Sequence, residues 1–574
     1  MITLGRSLKK YTADADKAVS PGDTVTRARS AFEKHDRQIL SQLKRIDTGR
    51  LGIPVYLSVC GEKARLAMPT RKQMGKGSTP DQAQASALME LAERYSYFSF
   101  VSNHDNFKWM SWEQAQKSFS GKLISIEEII KSVEEDISFS RAAQVLSLVH
   151  WQFTPATLVG GGRELFIPFN WFKKLNEFNG CSAGNTSEES ILQGACELIE
   201  RHCCGVIESS SLETPTIDKD SFDDPVLLDL LSRFARNNIK VLLKDFSLNM
   251  PAPTVAALAY DPGTFPGLSE IVFTAGTATS PAKAAIRALT EVAQLAGDFH
   301  SAGNYEASGL PKYTSLEQTR WLTTGPAVDL DTLPDISCPD MGEELLILSA
   351  ALSDLGFNLF SVSTTHQELK IPANFNFVPG FRFRERASNP CLGLITGRIL
   401  ADETDPMEAL PRLEALSRIY PGAYFIPFFQ GMVWMRMNEH DQALTHFKQA
   451  LEAPCDDESK ALCAFYGAYA LSQQNRWQET VSLLDMAINL DPLVKEYFNL
   501  RGVAFFKQND FEPAAEDFKK ALNLDSGSAT DLANLGLCYQ KTGQKRAAAE
   551  MLSKALEIDP SLCYARKSLD KITL

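Results

Sequence analysis

The amino-acid sequence predicts an α/β domain with internally repeated strand–helix units, followed by an all-α domain of helical repeats. Up to about residue 395, short apolar runs typical of strands alternate with helical stretches. After about residue 421 the pattern is helical only and recurs roughly every 34 residues. We therefore expect a first domain over residues 1–395, a linker over 396–420 and about four helical repeats over 421–574.

Four apolar runs are the clearest candidates for strands in the first domain. They lie around Ile53–Val59, Val145–His150, Lys240–Lys244 and Leu355–Val362. Helical stretches separate these runs, and this mixture of elements favours an α/β domain in which helices pack on sheets.

One helical pattern occurs three times in the first domain. Residues 77–94 and 184–201 align without gaps, and residues 279–294 keep the same frame. Each copy begins with a residue suited to cap a helix. These residues are Thr79 (before Pro80), Thr186 or Ser187, and Ser280 (before Pro281). Such internal similarity indicates a duplicated unit, so we expect the three polar faces to converge.

The polar faces carry carboxylates in a shared register, because residues three and four apart lie on one side of a helix. The shared positions hold Ser86, Gln193 and Arg287, then Glu90, Glu197 and Glu291, then Glu93, Glu200 and Gln294. Facing carboxylates repel unless a cation lies between them, and Mg²⁺ prefers oxygen ligands and nucleotide phosphates. Arg94 and Arg201 follow the last glutamate of two copies and suit phosphate oxygens. The pattern predicts a magnesium–nucleotide site.

Other interpretations of these residues are weaker. A single ExxER segment is usually a surface helix with solvated salt bridges, but three copies in register favour a site. A dimetal oxidase would pair glutamate with histidine as ExxH, and His202 is in the wrong register. The adjacent Cys203 and Cys204 suggest a nucleophile, although buried structural cysteine is the more common case.

The composition excludes several classes of function. The formal net charge of −13 over 574 residues argues against a nucleic-acid partner, which requires a basic surface. We expect no membrane segment, since no long apolar run and no signal-peptide core occur. Eleven cysteines without a CxxC motif, and only eight histidines, argue against zinc. Thiols without a secretion signal predict a cytoplasmic protein.

The helical repeats of the last part resemble tetratricopeptide repeats. Small and bulky residues recur at matching positions in four copies. These positions hold Gly431, Ala468, Gly502 and Gly536; Ala443, Thr480, Ala514 and Ala548; Phe447, Leu484, Phe518 and Leu552; and Ala450, Ala487, Ala521 and Ala555. Repeats of this length stack into a solenoid, and we expect its groove to recruit a protein or peptide.

The blocks GKGSTPDQAQASALMELAER, NGCSAGNTSEESILQGACELIER and RALTEVAQ resemble the YcaO superfamily, over roughly the first 390 residues. The resemblance implies an ATP- and Mg²⁺-dependent enzyme of the cyclodehydratase and thioamide-forming class, acting on a peptide or protein substrate as a homodimer. In this class a nucleophile adds to a backbone amide carbon, the amide oxygen is phosphorylated, and loss of phosphate leaves an azoline or a thioamide.

The resemblance also assigns roles to residues of this chain. The metal ligands would be Glu90, Glu93, Glu189, Glu197 and Glu200. The nucleotide would be contacted by Lys17, Thr24, Ser86, Arg94, Ser182, Asn185, Gln193, Arg201, Arg287 and Glu291. No catalytic side chain is assigned, because the substrate or an external sulfide supplies the nucleophile.

Two branches of the family are compatible with the chain. Residues 366–387 resemble members that form thioamides, often with a TfuA-type partner. The final residues, RKSLDKITL, do not resemble the proline-rich tail of azoline-forming members, so we expect no such tail. We therefore favour thioamidation, with the repeats recruiting the substrate or a partner. Another branch with a tetratricopeptide tail is associated with methylthiolation of a ribosomal protein. The alternative is accordingly a non-catalytic ATP-binding adaptor or scaffold.

Overall fold

The computed structural model describes residues 2–34, 38–47, 50–266, 271–295, 313, 315–384 and 390–573. The chain divides into two compact units. Among the described residues, the first unit comprises those up to Cys391 apart from Gln144–Val149. Gln144–Val149 belong to the second unit, together with the chain from Leu392 onwards. Residues 385–387 of the segment with the thioamide-type resemblance lie outside the described residues.

Strands and helices alternate before residue 391, as predicted. The strands are β1 (Leu40–Arg45), β2 (Val55–Cys60), β3 (Lys72–Lys76), β4 (Lys108–Ser111), β5 (His150–Leu158), β6 (Arg163–Pro168), β7 (Cys181–Ala183), β8 (Thr216–Ile217), β9 (Lys240–Asp245), β10 (Thr254–Tyr260), β11 (Val272–Thr277), β12 (Ala327–Val328), β13 (Phe360–Ser363) and β14 (Ala373–Phe377). The helices are α1 (Pro21–Glu33), α2 (Glu62–Ala67), α3 (Pro80–Ser102), α4 (Trp112–Ser118), α5 (Ile126–Lys131), α6 (Phe139–Leu146), α7 (Phe169–Asn176), α8 (Ser187–Ser210), α9 (Pro225–Arg236), α10 (Pro281–Gln294), α11 (Arg320–Thr323) and α12 (Met341–Asp354).

The described strands form three sheets. The first has the order β1-β2-β3, and the second has the order β11-β10-β9-β8-β12, in which only β8 and β12 are parallel. The third has the order β4-β5-β13-β14-β7, with β6 paired to β5. Each repeated helix packs on a different sheet: α3 on β2 and β3, α8 on β7 and β14, and α10 on β10 and β11. The α/β class with repeated strand–helix units is confirmed.

The repeated helices begin where the sequence predicts. Thr79 caps α3 by accepting a hydrogen bond from the Gln82 backbone N–H, and Thr186 caps α8 by accepting from Glu189. Ser280 precedes α10 at the same position, but its side chain makes no capping bond.

A close approach of strand to helix recurs in all three units. Gly75 of β3 lies so near α3 that a Cβ atom there would be 2.0 Å from the Ala87 nitrogen. Gly276 of β11 is equivalent, with a Cβ 2.5 Å from the Ala288 nitrogen. In the second unit the glycine is Gly194, which lies on the helix instead of the strand. A Cβ atom at Gly194 would lie 2.7 Å from Ser182 Oγ of β7. These contacts fix how far each polar helix face stands from its sheet.

One strand prediction was wrong. The run Val145–His150 is not a strand, since α6 continues to Leu146 and β5 begins only at His150. The runs that start at Ile53 and Lys240 correspond to β2 and β9, whereas only the end of the run Leu355–Val362 lies in β13.

The second unit is helical. Its helices are α13 (Leu392–Glu403), α14 (Pro406–Ile419), α15 (Phe425–Arg436), α16 (His440–Glu452), α17 (Asp457–Gln473), α18 (Trp477–Leu490), α19 (Lys495–Lys507), α20 (Phe511–Leu524), α21 (Ala529–Lys541), α22 (Lys545–Ile558) and α23 (Cys563–Thr573). The stretch 396–420, expected to be a linker, lies mostly within α13 and α14 instead. Asp405 caps α14 and Pro406 occupies its first turn, where a proline is tolerated.

The repeat pattern places residues as predicted for a solenoid. The aligned alanines Ala450, Ala487, Ala521 and Ala555 are fully buried. The aligned glycines make room for a bulky residue of the next helix, as at Gly431 beside Phe447 and Gly536 beside Leu552. Among the described helices, none has both the length and the apolar character needed to cross a bilayer.

Candidate nucleotide and metal site

A cavity of about 420 Å³ in the first unit is lined by α3, α8 and α10. The structure brings together at its wall nearly all the side chains that the sequence singles out. They are Lys17, Thr24, Ser86, Glu90, Glu93, Arg94, Asn185, Glu189, Gln193, Glu197, Glu200, Arg201, Arg287 and Glu291. The three polar faces therefore converge, while the roles of these residues as ligands stay predictions.

Ser182 is the one predicted site residue that the cavity wall does not include. It is buried behind the wall, where its hydroxyl accepts a hydrogen bond from Asn376 Nδ2 (3.0 Å) and lies 3.3 Å from Ser190 Oγ. In the repeat register Ser182 corresponds to Gly75 and Gly276, the residues at the close approach of strand to helix. Its position is thus explained by packing against α8.

Burial raises the pKa of the central carboxyls. The pKa of Glu90 and that of Glu197 lie above their usual range because both groups are removed from water, although neighbouring arginines oppose the shift. The pKa of Glu93 lies well above its usual range, mainly because the carboxyl is buried, and repulsion by Glu197 and Glu90 adds to the shift. Ionising these buried carboxyls costs free energy, and a cation bound between them would lower that cost.

The basic side chains are held among these acids. Burial and the nearby Arg287 lower the pKa of Lys76 to about 8, and its ammonium forms an ion pair with Glu291. The pKa of Arg94 is raised, although burial alone would lower it. Glu93 contributes to this rise, because its Oε1 lies 3.4 Å from Arg94 Nη1. The wall thus alternates charges of opposite sign.

Hydrogen bonds join the second copy to the third. Arg287 Nη1 of α10 donates to Gln193 Oε1 of α8 over 2.9 Å, between two residues of the same repeat position. Glu200 Oε2 of α8 accepts from the Thr277 backbone N–H of β11 at 3.0 Å. These contacts fix α8 against the third strand–helix unit.

One buried donor and one buried acceptor at the cavity fit a magnesium–nucleotide ligand. Arg94 Nη1 and Gln82 Oε1 are buried without a hydrogen-bond partner in the part of the chain that the structure describes, although both belong to cavity-lining residues. Buried polar atoms normally find a partner, and phosphate oxygens and a hydrated cation would supply one. The volume lies in the range of small-molecule sites.

The carboxylates are not already gathered around one point. Within the described ranges, no three or more His, Cys, Asp or Glu side chains form a ready ligand cluster for a metal. Glu189 instead accepts from the Ala18 N–H (3.0 Å), and its other oxygen lies 3.6 Å from Lys17 Nζ. Metal binding would therefore require some of these glutamates to exchange protein partners for the ion.

Several lining residues were missed by the sequence reasoning. Lys76 lies within the first block that resembles the YcaO superfamily, immediately before the first repeat copy, but no role was predicted for it. Lys283 shares a repeat position with Gln82 and Glu189, one turn before the positions that were compared. Asp14 and Asp16 carry no local signal and were found only in the structure.

A family model described as YcaO cyclodehydratase, ATP- and Mg²⁺-binding, matches residues 74–382. The chain belongs to the YcaO family. Two tetratricopeptide repeat models match residues 467–529 and 532–562 and confirm the repeat assignment. The cofactors of this YcaO domain are ATP and Mg²⁺, as the sequence predicts.

Three curated relatives share parts of this YcaO chain. An uncharacterized protein of Methanothermobacter thermautotrophicus is 26% identical over 381 residues, covering 63% of this chain and 94% of the relative. An uncharacterized protein in the tfuA 3′ region of Rhizobium leguminosarum bv. trifolii is 25% identical, covering 51% and 70%. The ribosomal protein S12 methylthiotransferase accessory factor YcaO of Escherichia coli K12 is 25% identical, covering 33% and 35%.

Two solved structures share the fold of the YcaO domain. A heterocyclase in complex with substrate and cofactor superimposes with a TM-score of 0.53 and 21% identity, over 67% of this chain and 54% of its own. The chain thus spans about half the length of that heterocyclase. YcaO from Methanopyrus kandleri, bound with AMPPCP and Mg²⁺, superimposes with a TM-score of 0.50 and 18% identity, over 67% and 99%.

Proposed function

We propose that the YcaO domain activates a peptide backbone amide by ATP- and Mg²⁺-dependent phosphorylation of its carbonyl oxygen. The observation that carries this proposal is the cavity shared by α3, α8 and α10, in which carboxylates alternate with basic side chains. Phosphoryl transfer depends mainly on positioning and charge neutralisation, and this wall is suited to both.

Each group of side chains has a distinct task in this proposal. The metal ligands are Glu90, Glu93, Glu189, Glu197 and Glu200. Arg94, Arg201 and Arg287 bind phosphate oxygens through planar guanidinium groups. When bound, MgATP supplies a phosphoryl group to the amide oxygen. That oxygen then leaves as part of phosphate, and the incoming sulfur or side-chain heteroatom stays bonded to the amide carbon.

We favour a thioamide as the product, with sulfide as the nucleophile. The segment 366–384, which includes β14, carries the resemblance to thioamide-forming members within the described residues. A relative encoded in the tfuA 3′ region supports the same branch, and a TfuA-type protein is the partner we propose for the repeats. We further propose a homodimer in the cytoplasm, where the eleven cysteines of the chain would stay reduced.

A second candidate is a non-catalytic ATP-binding adaptor. The name of the Escherichia coli relative, an accessory factor for methylthiolation of ribosomal protein S12, favours it. In this role the nucleotide would set the conformation of the YcaO domain, and the repeats would recruit another enzyme.

The decisive experiment incubates the full chain with ATP, Mg²⁺, sulfide and candidate peptides. We expect phosphate release together with the peptide mass gain that accompanies replacement of oxygen by sulfur. The variant Glu197→Gln should abolish both signals, whereas Glu343→Gln, at an exposed carboxylate of α12, should retain them. ATP affinity that is unchanged in EDTA would contradict the metal-dependent site.

The adaptor is distinguished in cells. Under the enzyme proposal, Glu200→Gln should remove function together with ATP turnover. Cellular function that survives complete loss of ATP turnover would instead support the adaptor and reject the enzyme.

A further inference from the structure

The loop Tyr11–Lys17, called here the clasp loop, forms one wall of the nucleotide cavity. Backbone hydrogen bonds close its base, because Lys17 N–H donates to the Tyr11 carbonyl (2.9 Å) and Tyr11 N–H donates to the Lys17 carbonyl (3.1 Å). Its residues Asp14, Ala15, Asp16 and Lys17 line the cavity. The loop therefore carries Lys17, a predicted nucleotide ligand, on a closed segment of backbone.

The clasp loop is attached to the start of each repeated helix. Ser78, just before α3, donates its N–H to Asp14 Oδ2 over 3.2 Å, and its hydroxyl donates to the same oxygen. Lys283, in the first turn of α10, donates to the Ala13 carbonyl. Glu189, in the first turn of α8, accepts from the backbone N–H that follows Lys17. Three anchors thus come from three separate strand–helix units.

Asp14 is the loop side chain that bonds to the start of α3, whereas Asp16 pairs with Lys9 and Lys17 with Glu189. The Asp14 carboxylate is 3% exposed and also accepts from the Tyr11 hydroxyl at 2.7 Å, so it braces the loop internally. The start of α3 does not need Asp14 as a cap, since Thr79 already accepts the Gln82 N–H. Charge-assisted hydrogen bonds of this kind are strong and directional, which suits a device that fixes geometry.

We propose that Asp14 is a positioning residue that holds Lys17 in its nucleotide-binding place by fixing the tip of the clasp loop to the start of α3. The proposal rests on the ATP site proposed above. Without Asp14 the loop keeps its Lys283 and Glu189 anchors, but its tip loses both hydrogen bonds to Ser78 at the start of α3. Lys17 then samples positions away from the cavity, and each binding event must order it again.

The test measures ATP affinity of the full chain by calorimetry in Mg²⁺. We expect Asp14→Ala to weaken binding about tenfold, equivalent to about 1.4 kcal/mol. The matched control is Asp81→Ala, which removes an exposed carboxylate from the first turn of α3 and should change affinity less than twofold. Asp14→Asn, which keeps an oxygen for Ser78, should recover part of the loss and serves if Asp14→Ala fails to fold.

A double-mutant cycle separates positioning from general stability. Because Asp14 acts through Lys17, the loss on Asp14→Ala should nearly vanish in a Lys17→Ala background. Equal affinity of Asp14→Ala and wild type, or full additivity with Lys17→Ala, overturns the positioning role while leaving the ATP site intact. A wild-type chain that binds no ATP overturns the ATP site itself, and the positioning role with it.

Discussion

Replacing Gly75 by alanine should disturb the nucleotide site without touching any of its side chains. A Cβ atom at Gly75 would lie 2.0 Å from the Ala87 nitrogen and 2.5 Å from the Ala83 carbonyl oxygen. Both are backbone atoms of α3, so no side-chain rotation can relieve the overlap. Ordinary van der Waals contact begins at 3.4 Å, so strand and helix must separate by more than an ångström.

The size of the effect follows from that separation. Overpacking of a well-packed interface costs about 1–3 kcal/mol, which we expect as the loss in free energy of unfolding. The displaced helix also carries Ser86, Glu90 and Glu93, and misplacing reacting groups by about 1 Å costs roughly 100-fold in rate. ATP-dependent turnover should therefore fall much more than stability does.

Urea unfolding and phosphate release measure the two quantities on the same preparations. Gly161→Ala is the matched control, because a Cβ there would meet Leu158 Cδ2 at an ordinary 3.5 Å and should change neither quantity. Wild-type stability and turnover in Gly75→Ala would refute the idea that this close approach sets the position of the polar helix face.

Three further predictions concern single side chains. Burial lowers the pKa of Lys244 from 10.5 to about 8, so the unfolded chain binds that proton more tightly than the folded chain. The free energy of unfolding should therefore rise by up to about 3 kcal/mol as the pH is raised from 8 to 10.5. Urea titrations should show this rise in the wild type and not in Lys244→Met. Ser182→Ala should lower the free energy of unfolding by about 1 kcal/mol through its lost hydrogen bonds and leave ATP affinity unchanged. Weaker ATP binding in calorimetry would instead support Ser182 as a nucleotide ligand. Arg287→Ala should weaken ATP binding at least tenfold while Mg²⁺ still raises the melting temperature. Loss of both responses would contradict the assignment of Arg287 to the nucleotide alone.

The repeated helix faces could be predicted because their information is local. Positions three and four apart face the same way on any helix, so the register of Glu90, Glu197 and Glu291 follows from the alignment alone. The same alignment, extended towards the N-terminus, pairs Gly75 with Gly276, but it puts Ser182 at this position of the second unit and does not indicate Gly194. The close contacts of these glycines could not be predicted, since these depend on which strand meets which helix.

The errors have equally physical causes. A short apolar run such as Val145–His150 has no periodicity long enough to separate a strand from the end of a helix. The stretch 396–420 contains Pro406 and Pro411, yet Pro406 starts α14 and Pro411 lies within it, so prolines there do not mark a linker. The clasp loop could not be predicted because Asp14 and Ser78 are distant in sequence and Asp14 belongs to no repeated pattern.

The position shared by Gln82, Glu189 and Lys283 has a consequence for ligand orientation. The three helix starts are related as copies, but at this position one is neutral, one acidic and one basic. If the three helix starts carried the same residue at this position, an elongated, charged ligand could bind the cavity in three equivalent orientations. Unequal walls remove that degeneracy, so a chain of phosphates with a base at one end has a single preferred direction. Divergence of the copies thus makes a pseudo-symmetric cavity directional. A reaction at one defined end of the ligand requires such a fixed binding direction.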